Sequence, residues 1–387
     1  MLIIDYYIIS IILIVTSFLL LLISILNFKY LNSLDKSKTL NISPLVSILI
    51  PARNEEKSII RCLKSLVEQN YKNTEILVLD DNSTDNTKNI INKYIDDNKN
   101  IKLLSGENLP NGWIGKHWAC EQLAKNAKGN YILFLDADTA INKEIIKTAV
   151  SQMQIQSAEL ITTIPRKKPR CIAEKLLFPF IDWISLAFLP IKISQKLNNS
   201  YLSATFGQFM LFKKDAYDAI GGHKKIKDNI LDDINLGRMI KKHGYKWILL
   251  DGTKHVESQM YENSKDTIKG VSRSIFPALN YHISILLIAI IILILLGIAP
   301  IYIILSDFLT STSHPINRIT FSYITFINMI ISWTIVCLKF NHNILTALIH
   351  PIIITLMILT AMHSLVSNIL GSIKWKDRKI SKRNIRI

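Results

Sequence analysis

The chain has 387 residues, 49% of them hydrophobic, with a mean hydropathy of +0.26 and a formal net charge of +16. That length holds one large domain plus appended elements, and that hydropathy is too high for a purely soluble protein. Cys62, Cys120, Cys171 and Cys337 are far apart and form no CxxC pair, which argues against a zinc ribbon or a disulfide framework.

Residues 6–28 are an uncharged apolar run at the ~20 residues a helix needs to cross a hydrocarbon core. Asp5 precedes the run without any Lys or Arg, no small-residue cleavage site follows, and Lys29 and Lys36 flank its end. Residues 1–30 therefore read as a retained anchor, not a signal peptide. Residues 31–43 are polar and read as a linker.

From residue 44 the pattern changes. Residues 45–50 are a short β-branched run stopping at Pro51, as in a buried strand. Over 55–69, Ile59, Ile60, Leu63, Leu66 and Val67 recur at helical spacing. Strands follow at 75–79, 101–104 and 131–135, alternating with helices near 84–95 and 116–127. This alternation predicts an α/β domain with a mostly parallel sheet covered by helices on both faces. Such sheets bind ligands at the carboxyl ends of their strands, and polar clusters sit at those ends here.

The first cluster is Pro51-Ala52-Arg53-Asn54-Glu55, and the second is Asp80-Asp81-Asn82-Ser83-Thr84-Asp85. Asp80 or Asp81 suits hydrogen bonds from a base or ribose, while Ser83 or Thr84 suits capping of the next helix. The third cluster, Phe134-Leu135-Asp136-Ala137-Asp138-Thr139, sets two carboxylates on one side of a strand end, a hard-oxygen pair for Mg²⁺ or Mn²⁺. The fourth, Gly112-Trp113-Ile114-Gly115-Lys116, opens a helix; it fits a phosphate cradle with a point charge at Lys116, or a plain turn. The fifth is Leu231-Asp232-Asp233 at the head of a helix ending near Gly244. One acid there serves the helix dipole. Asp233 is the candidate base, provided burial or a neighbouring charge offsets the dipole's lowering of its pKa.

In this order the clusters resemble glycosyltransferase family 2, whose fold is GT-A and whose reaction inverts the anomeric centre. The matching segments are VSILIPARNEE (46–56), EILVLDDNSTD (75–85), FLDADT (134–139), GQFMLFKKDAYDAIGG (207–222) and LDDINLGRMIKKHG (231–244). The resemblance implies that Pro51, Arg53, Glu55, Asp80 and Asp81 line a nucleotide-sugar site and that Asp138 ligates a divalent metal. It gives Asp136 to the ribose or the metal, and Asp233 to the general base of the family's ED motif, with Asp232 standing where that motif has Glu. Gly207 and Gln208 fall in the segment expected near acceptor or diphosphate.

GWIGK (112–116) is similar to the branch of the family that glycosylates lipids, including ceramide glucosyltransferases, hopanoid-associated enzymes and carotenoid-acid glycosyltransferases. No Arg-Trp pair occurs in the chain, whereas processive polysaccharide synthases carry a QxxRW motif. In the corresponding stretch, Arg273 suits either a diphosphate or a membrane flank. The implied reaction is hexose transfer from a UDP-sugar to a membrane lipid. The alternatives are a polyprenyl-phosphate glycosyltransferase, a polysaccharide synthase, or a non-enzymatic membrane scaffold that keeps the fold.

The expected domain is therefore 44–270, facing the cytoplasm where nucleotide-sugars are made, with an interfacial segment at 171–193 and a transmembrane region at 281–373. Within that region 281–306, 321–338 and 343–373 are long and apolar. The basic tail, 374–387, holds Lys374, Lys376, Arg378, Lys379, Lys382, Arg383 and Arg386, which would meet anionic headgroups; nucleic acid is not the expected partner. Three complete crossings would leave that tail outside, against the positive-inside tendency. Either a C-terminal segment is re-entrant or interfacial, or the tail breaks the rule.

Overall fold

The computed structural model describes residues 2–31, 43–96, 98, 100–310, 316–380 and 385–386. The linker expected at 31–43, and Lys382 and Arg383 of the tail, fall almost wholly outside the described residues. The strands in chain order are β1 (Val46–Ala52), β2 (Thr74–Asp80), β3 (Ile101–Ser105), β4 (Tyr131–Leu135), β5 (Thr139–Ile141) and β6 (Leu160–Ile164). They continue with β7 (Arg166–Lys167), β8 (Phe209–Lys213), β9 (Trp247–Asp251), β10 (Val256–Ser258), β11 (Lys374–Trp375) and β12 (Arg378–Lys379).

The main sheet has the order β3-β2-β1-β4-β8-β6-β9, with β8 antiparallel to both neighbours and the remaining pairs parallel. This is a GT-A sheet. Both faces are covered, so strand residues alternate between two cores. Ile48, Ile50, Val78 and Leu133 pack with Ile59, Cys62 and Leu63 on one face. Leu49, Leu79, Phe134 and Met210 pack with Cys120 and Leu123 on the other. This double burial explains why β1 and β4 read as unbroken apolar runs. A smaller sheet, β5-β10-β7, lies beyond the end of β4.

Among the described residues, four helices are long and apolar enough to span a membrane: Tyr7–Tyr30, Ile283–Leu309, Ile319–Phe340 and His350–Ile369. The first and third end against the catalytic domain. Asn27 donates to the carbonyls of Leu186 (2.7 Å) and Leu189 (2.6 Å), and Lys339 pairs with Asp251 (3.1 Å). After residue 340 the chain doubles back along the third helix. Thr346 Oγ1 lies 3.0 Å from Cys337 Sγ, and the His350 ring packs against Trp333 and Phe326. The fourth helix therefore starts beside the middle of the third. It returns past Gly297, where a Cβ would sit 2.3 Å from Ile354 Cδ1, and its Ser364 hydroxyl accepts from Phe276 N–H (3.1 Å). Both ends of 341–370 thus lie on the side of the catalytic domain.

The segment expected to be interfacial, 171–193, forms helix Ile172–Ala187 and the start of helix Ile191–Lys196. Its two acids do not face outward. Asp182 is buried between Lys167 and His342 (2.7 Å), and Glu174 accepts from the N–H groups of Arg170 (2.6 Å) and Tyr261 (3.2 Å). Burial alone would raise the Asp182 carboxyl, but Lys167 and His342 hold it below the usual range. The exposed residues are the apolar Ile172, Ile184, Phe188 and Ile193 together with Lys175 and Lys192. Removing one partner of a buried charge set strands the other, at a cost of about 3–5 kcal/mol. Asp182→Ala is thus expected to melt well below the wild type in detergent, and an unchanged melting curve would show that the charge set contributes little.

Candidate active site

The carboxyl ends of β1, β2 and β4 lie side by side, with Ala52 opposite Asp80, so the first three polar clusters form adjacent walls. Asn54 (φ 52°) and Asn82 (φ 54°) turn the first two loops through left-handed backbone, which Asn tolerates better than most residues. Arg53 ties these loops together, donating Nη1 to the carbonyls of Asp81 (2.5 Å) and Asn82 (2.8 Å). Ser83 and Thr84 do not cap the following helix. They bond back to Asn54, while Asp85 caps helix Thr87–Asp96 by accepting Thr87 N–H at 3.0 Å. Asp80 and Asp81 are both buried, and Asp80 accepts Ser83 N–H (3.4 Å). Pro51 is the penultimate residue of β1, in register with Leu79.

Asp136 and Asp138 follow β4 and alternate with buried Ala137 and Thr139, so both open on the same side. Their surroundings differ. Asp136 pairs with Lys116 (2.8 Å), whereas Asp138 accepts the hydroxyls of Thr139 (3.0 Å) and Ser258 (3.4 Å). Burial, then the charges of Asp136 and Glu55, push the Asp138 carboxyl up to about 7. An acid crowded by like charge and approached by hydroxyls is suited to a divalent cation, which would relieve that repulsion. No cluster of three or more His, Cys, Asp or Glu side chains forms a protein cage among the described residues. Two carboxylates fit an open site whose shell phosphates and water complete.

Helix Asp232–Lys242 brings the fifth cluster to the same place. Lys116, second residue of helix Gly115–Asn126, pairs with Asp232 (3.2 Å) as well as with Asp136. Burial works against the charge of Asp232, but Lys116 outweighs it and holds that carboxyl far below the usual range. Asp233 has the opposite environment: burial, then the charge of Asp232, push it up to about 7. The two neighbouring acids are thereby split into one permanently ionised and one poised to exchange a proton near neutrality. Asp233 meets the condition that its helix position set.

Gly207 is the floor of this cluster. A Cβ there would lie 3.5 Å from Lys116 Nζ, 3.7 Å from Asp233 Cβ and 3.9 Å from an Asp136 oxygen. Gly207→Ala should be accommodated, because its Cβ would meet Lys116 and Asp233 at ordinary van der Waals distances, whereas Gly207→Leu should fill the space between Asp233 and Asp136 and abolish turnover. Equal activity in both variants would remove Gly207 from the site. Gln208, beside it, reaches Met260 (3.8 Å). Arg273 lies on helix Ser264–Ala278 near Tyr261, whose hydroxyl feels the charges of both Arg273 and Asp138.

Several site residues carried no signal in the sequence. Arg61, on the polar side of helix Ile59–Val67, donates to the Asp138 carbonyl and pairs with Glu257 (2.9 Å). Ser258 arrives from β10, more than a hundred residues after the acid it contacts. The larger surprise is the tail. Lys376 pairs with Glu55 (2.8 Å) and Arg378 with Asp81 (2.7 Å), so these cations sit in the cleft and not at lipid headgroups.

The family model for Glycosyl transferase family 2 matches residues 47–221. The chain is 28% identical over 242 residues to a 4,4'-diaponeurosporenoate glycosyltransferase of Staphylococcus haemolyticus, covering 61% of this chain and 62% of the relative. It is 28% identical over 239 residues to the enzyme so named in Staphylococcus aureus USA300, covering 60% of this chain and 61% of the relative. The matched region thus spans less than two thirds of these relatives. A mannosyltransferase of Pyrobaculum calidifontis, solved with GDP-Man and Mn²⁺, superposes over 94% of this chain and 99% of its own, with a TM-score of 0.56 and 15% identity. That likeness concerns the fold. Residues 47–221 thus match a glycosyl transferase family 2 domain, and the sheet order and strand-end acids agree with that match.

Proposed function

We propose that the chain transfers a hexose from a UDP-sugar to the hydroxyl of a membrane lipid, with inversion, at the membrane surface. The observation that carries this reading is the Asp232–Asp233 pair, in which the second carboxyl is pushed up to about 7 beside the Lys116–Asp136 ion pair. Asp80 and Asp81 hold the nucleoside, Arg53 and Glu55 shape its loop, and Asp136 and Asp138 would hold Mg²⁺ or Mn²⁺. Bound there, the ion supplies neutralisation of the charge that builds on the diphosphate. The acceptor oxygen attacks the anomeric carbon from the face opposite the diphosphate. As the new C–O bond forms, the bond to the diphosphate breaks, the acceptor proton passes to Asp233, and the nucleoside diphosphate leaves.

The hydroxyl is favoured over a carboxylate because a carboxylate acceptor brings no proton at neutral pH, so a raised Asp233 would have no task. The curated relatives are named for a carotenoid acid, so both acceptor types belong in the test. The domain is assigned to the cytoplasmic face, where nucleotide-sugars are made. Two crossings after the domain, followed by a re-entrant 341–370, return the tail to that face and satisfy the positive-inside tendency.

The test is purified protein in detergent with radiolabelled UDP-hexoses or GDP-Man, Mn²⁺ or EDTA, and a total lipid extract. Labelled lipid that requires Mn²⁺ and disappears in Asp233→Asn supports the reading. Label in insoluble polymer would replace it with a synthase, and no turnover with any donor would leave a scaffold.

A further inference from the structure

The tail returns to the donor cleft as a built element. Beyond helix His350–Ile369, β11 and β12 pair antiparallel with Trp375 opposite Arg378, and Lys376 and Asp377 form the turn at φ 43° and 67°. Left-handed backbone at two consecutive non-glycine residues is costly, and persists where surrounding contacts impose it. Those contacts are present. Lys376 Nζ donates to the Asn54 carbonyl (3.0 Å) and pairs with Glu55, while its own carbonyl accepts from Arg53 Nε (3.4 Å). Arg378 Nη1 pairs with Asp81 Oδ2, and Nη2 reaches the Asp81 carbonyl (3.4 Å). The hairpin also closes over the GWIGK turn: a Cβ on Gly115 would lie 2.6 Å from Arg378 Nη1 and 2.9 Å from the Trp375 ring.

Two further observations separate a wall from a plug. Asp81 Oδ1 is buried and has no hydrogen-bond partner, so Arg378 leaves one oxygen of this carboxylate unsatisfied. Lys116 pairs with Asp136 and Asp232, Lys376 with Glu55 and Arg378 with Asp81, so two of these three cations belong to the hairpin. A cleft crowded with acids repels an anionic diphosphate unless cations offset them.

The geometry points to the hairpin turn, residues 375–378, as a wall of the donor site. Lys376 and Arg378 offset Glu55 and Asp81 so that a nucleoside diphosphate enters, and Arg378 fixes the Asp81 carboxylate at the end of β2. Arg378 is thus a positioning residue acting through Asp81. This assignment rests on the proposed nucleotide-sugar reaction.

The experiment measures UDP and GDP binding by calorimetry, with Mn²⁺, to the full chain in detergent, alongside donor KM and kcat. Arg378→Ala and Lys376→Ala are each expected to weaken nucleotide binding and raise donor KM about tenfold, as expected for a lost charge-assisted contact, while kcat at saturating donor stays within about twofold. Arg378→Lys should recover part of the loss. Lys374→Ala, on the hairpin but away from the acids, should bind as wild type does. Should Arg378→Ala melt early, Arg378→Gln keeps the bulk of the side chain and carries the same expectation. Binding unchanged in the Arg378 and Lys376 variants overturns the assignment, and tighter binding overturns it in favour of a self-blocking plug. If wild-type protein binds neither nucleotide, the proposed reaction falls together with this wall.

Discussion

Asp233→Asn is expected to lower turnover by about 10²–10⁴-fold, the usual contribution of a positioned base, while nucleotide binding stays within about twofold. The reason is the contrast between adjacent acids. Lys116 fixes Asp232 as an anion, and that anion together with burial pushes Asp233 up to about 7. Asp233 accepts a proton only when ionised, so kcat/KM should climb as pH rises through about 7 and level off above it. Asparagine has the shape but no such titration, so the residual rate of the variant should lack that limb. A variant that kept both the rate and the pH dependence would show that the proton goes elsewhere, or that the acceptor brings none.

The second large effect is expected at Asp138. Asp138→Ala should remove the response of the reaction to Mn²⁺ and lower kcat/KM by about a thousandfold, since neutralising a leaving diphosphate amounts to several kcal/mol. The basis is geometric: Asp136 already has Lys116 as its counterion, whereas Asp138 is approached by the hydroxyls of Thr139 and Ser258. Asp138 is therefore the acid with more to gain from a cation. A titration of activity against Mn²⁺ decides the matter, and an Asp138→Ala enzyme with an unaltered Mn²⁺ response would move the metal to other ligands. Stability should fall little in this variant, because removing one of several crowded like charges relieves repulsion.

These expectations meet at a cleft whose outer wall comes from beyond the membrane region. The returning helix His350–Ile369 carries the chain back to the domain, and the hairpin closes over Asp81 and Glu55. A lipid acceptor would approach from the side of helix Ile172–Ala187, where Ile172, Ile184 and Phe188 are exposed. Donor and acceptor would thus reach Asp233 along different walls, the first lined by the tail and the second facing the bilayer.

The α/β domain was legible in the residues because its signals are local. A strand buried on both faces must be a continuous apolar run, as β1 and β4 are, and the acids that end β2 and β4 lie within a few residues of those runs. The apolar lengths that mark membrane helices are local in the same sense. Asp136, Asp138 and Asp233 could be named as candidates for that reason. The resemblance proposed roles for them, but their protonation could not be read from the sequence, because a pKa depends on what burial and folding bring near. Lys116 reaches Asp136 and Asp232 across gaps of 20 and 116 residues and holds Asp232 ionised, while burial and the charge of Asp232 push Asp233 up to about 7. The partners of the acids in helix Ile172–Ala187 were equally hidden, since Asp182 and Glu174 are satisfied inside by Lys167, His342 and backbone N–H groups from distant segments. The tail differed most from its reading. A basic run after an apolar helix has the composition of a headgroup contact, and composition does not record direction. Only the returning helix, which sets the tail on the same side as the cleft, turned Lys376 and Arg378 toward Glu55 and Asp81.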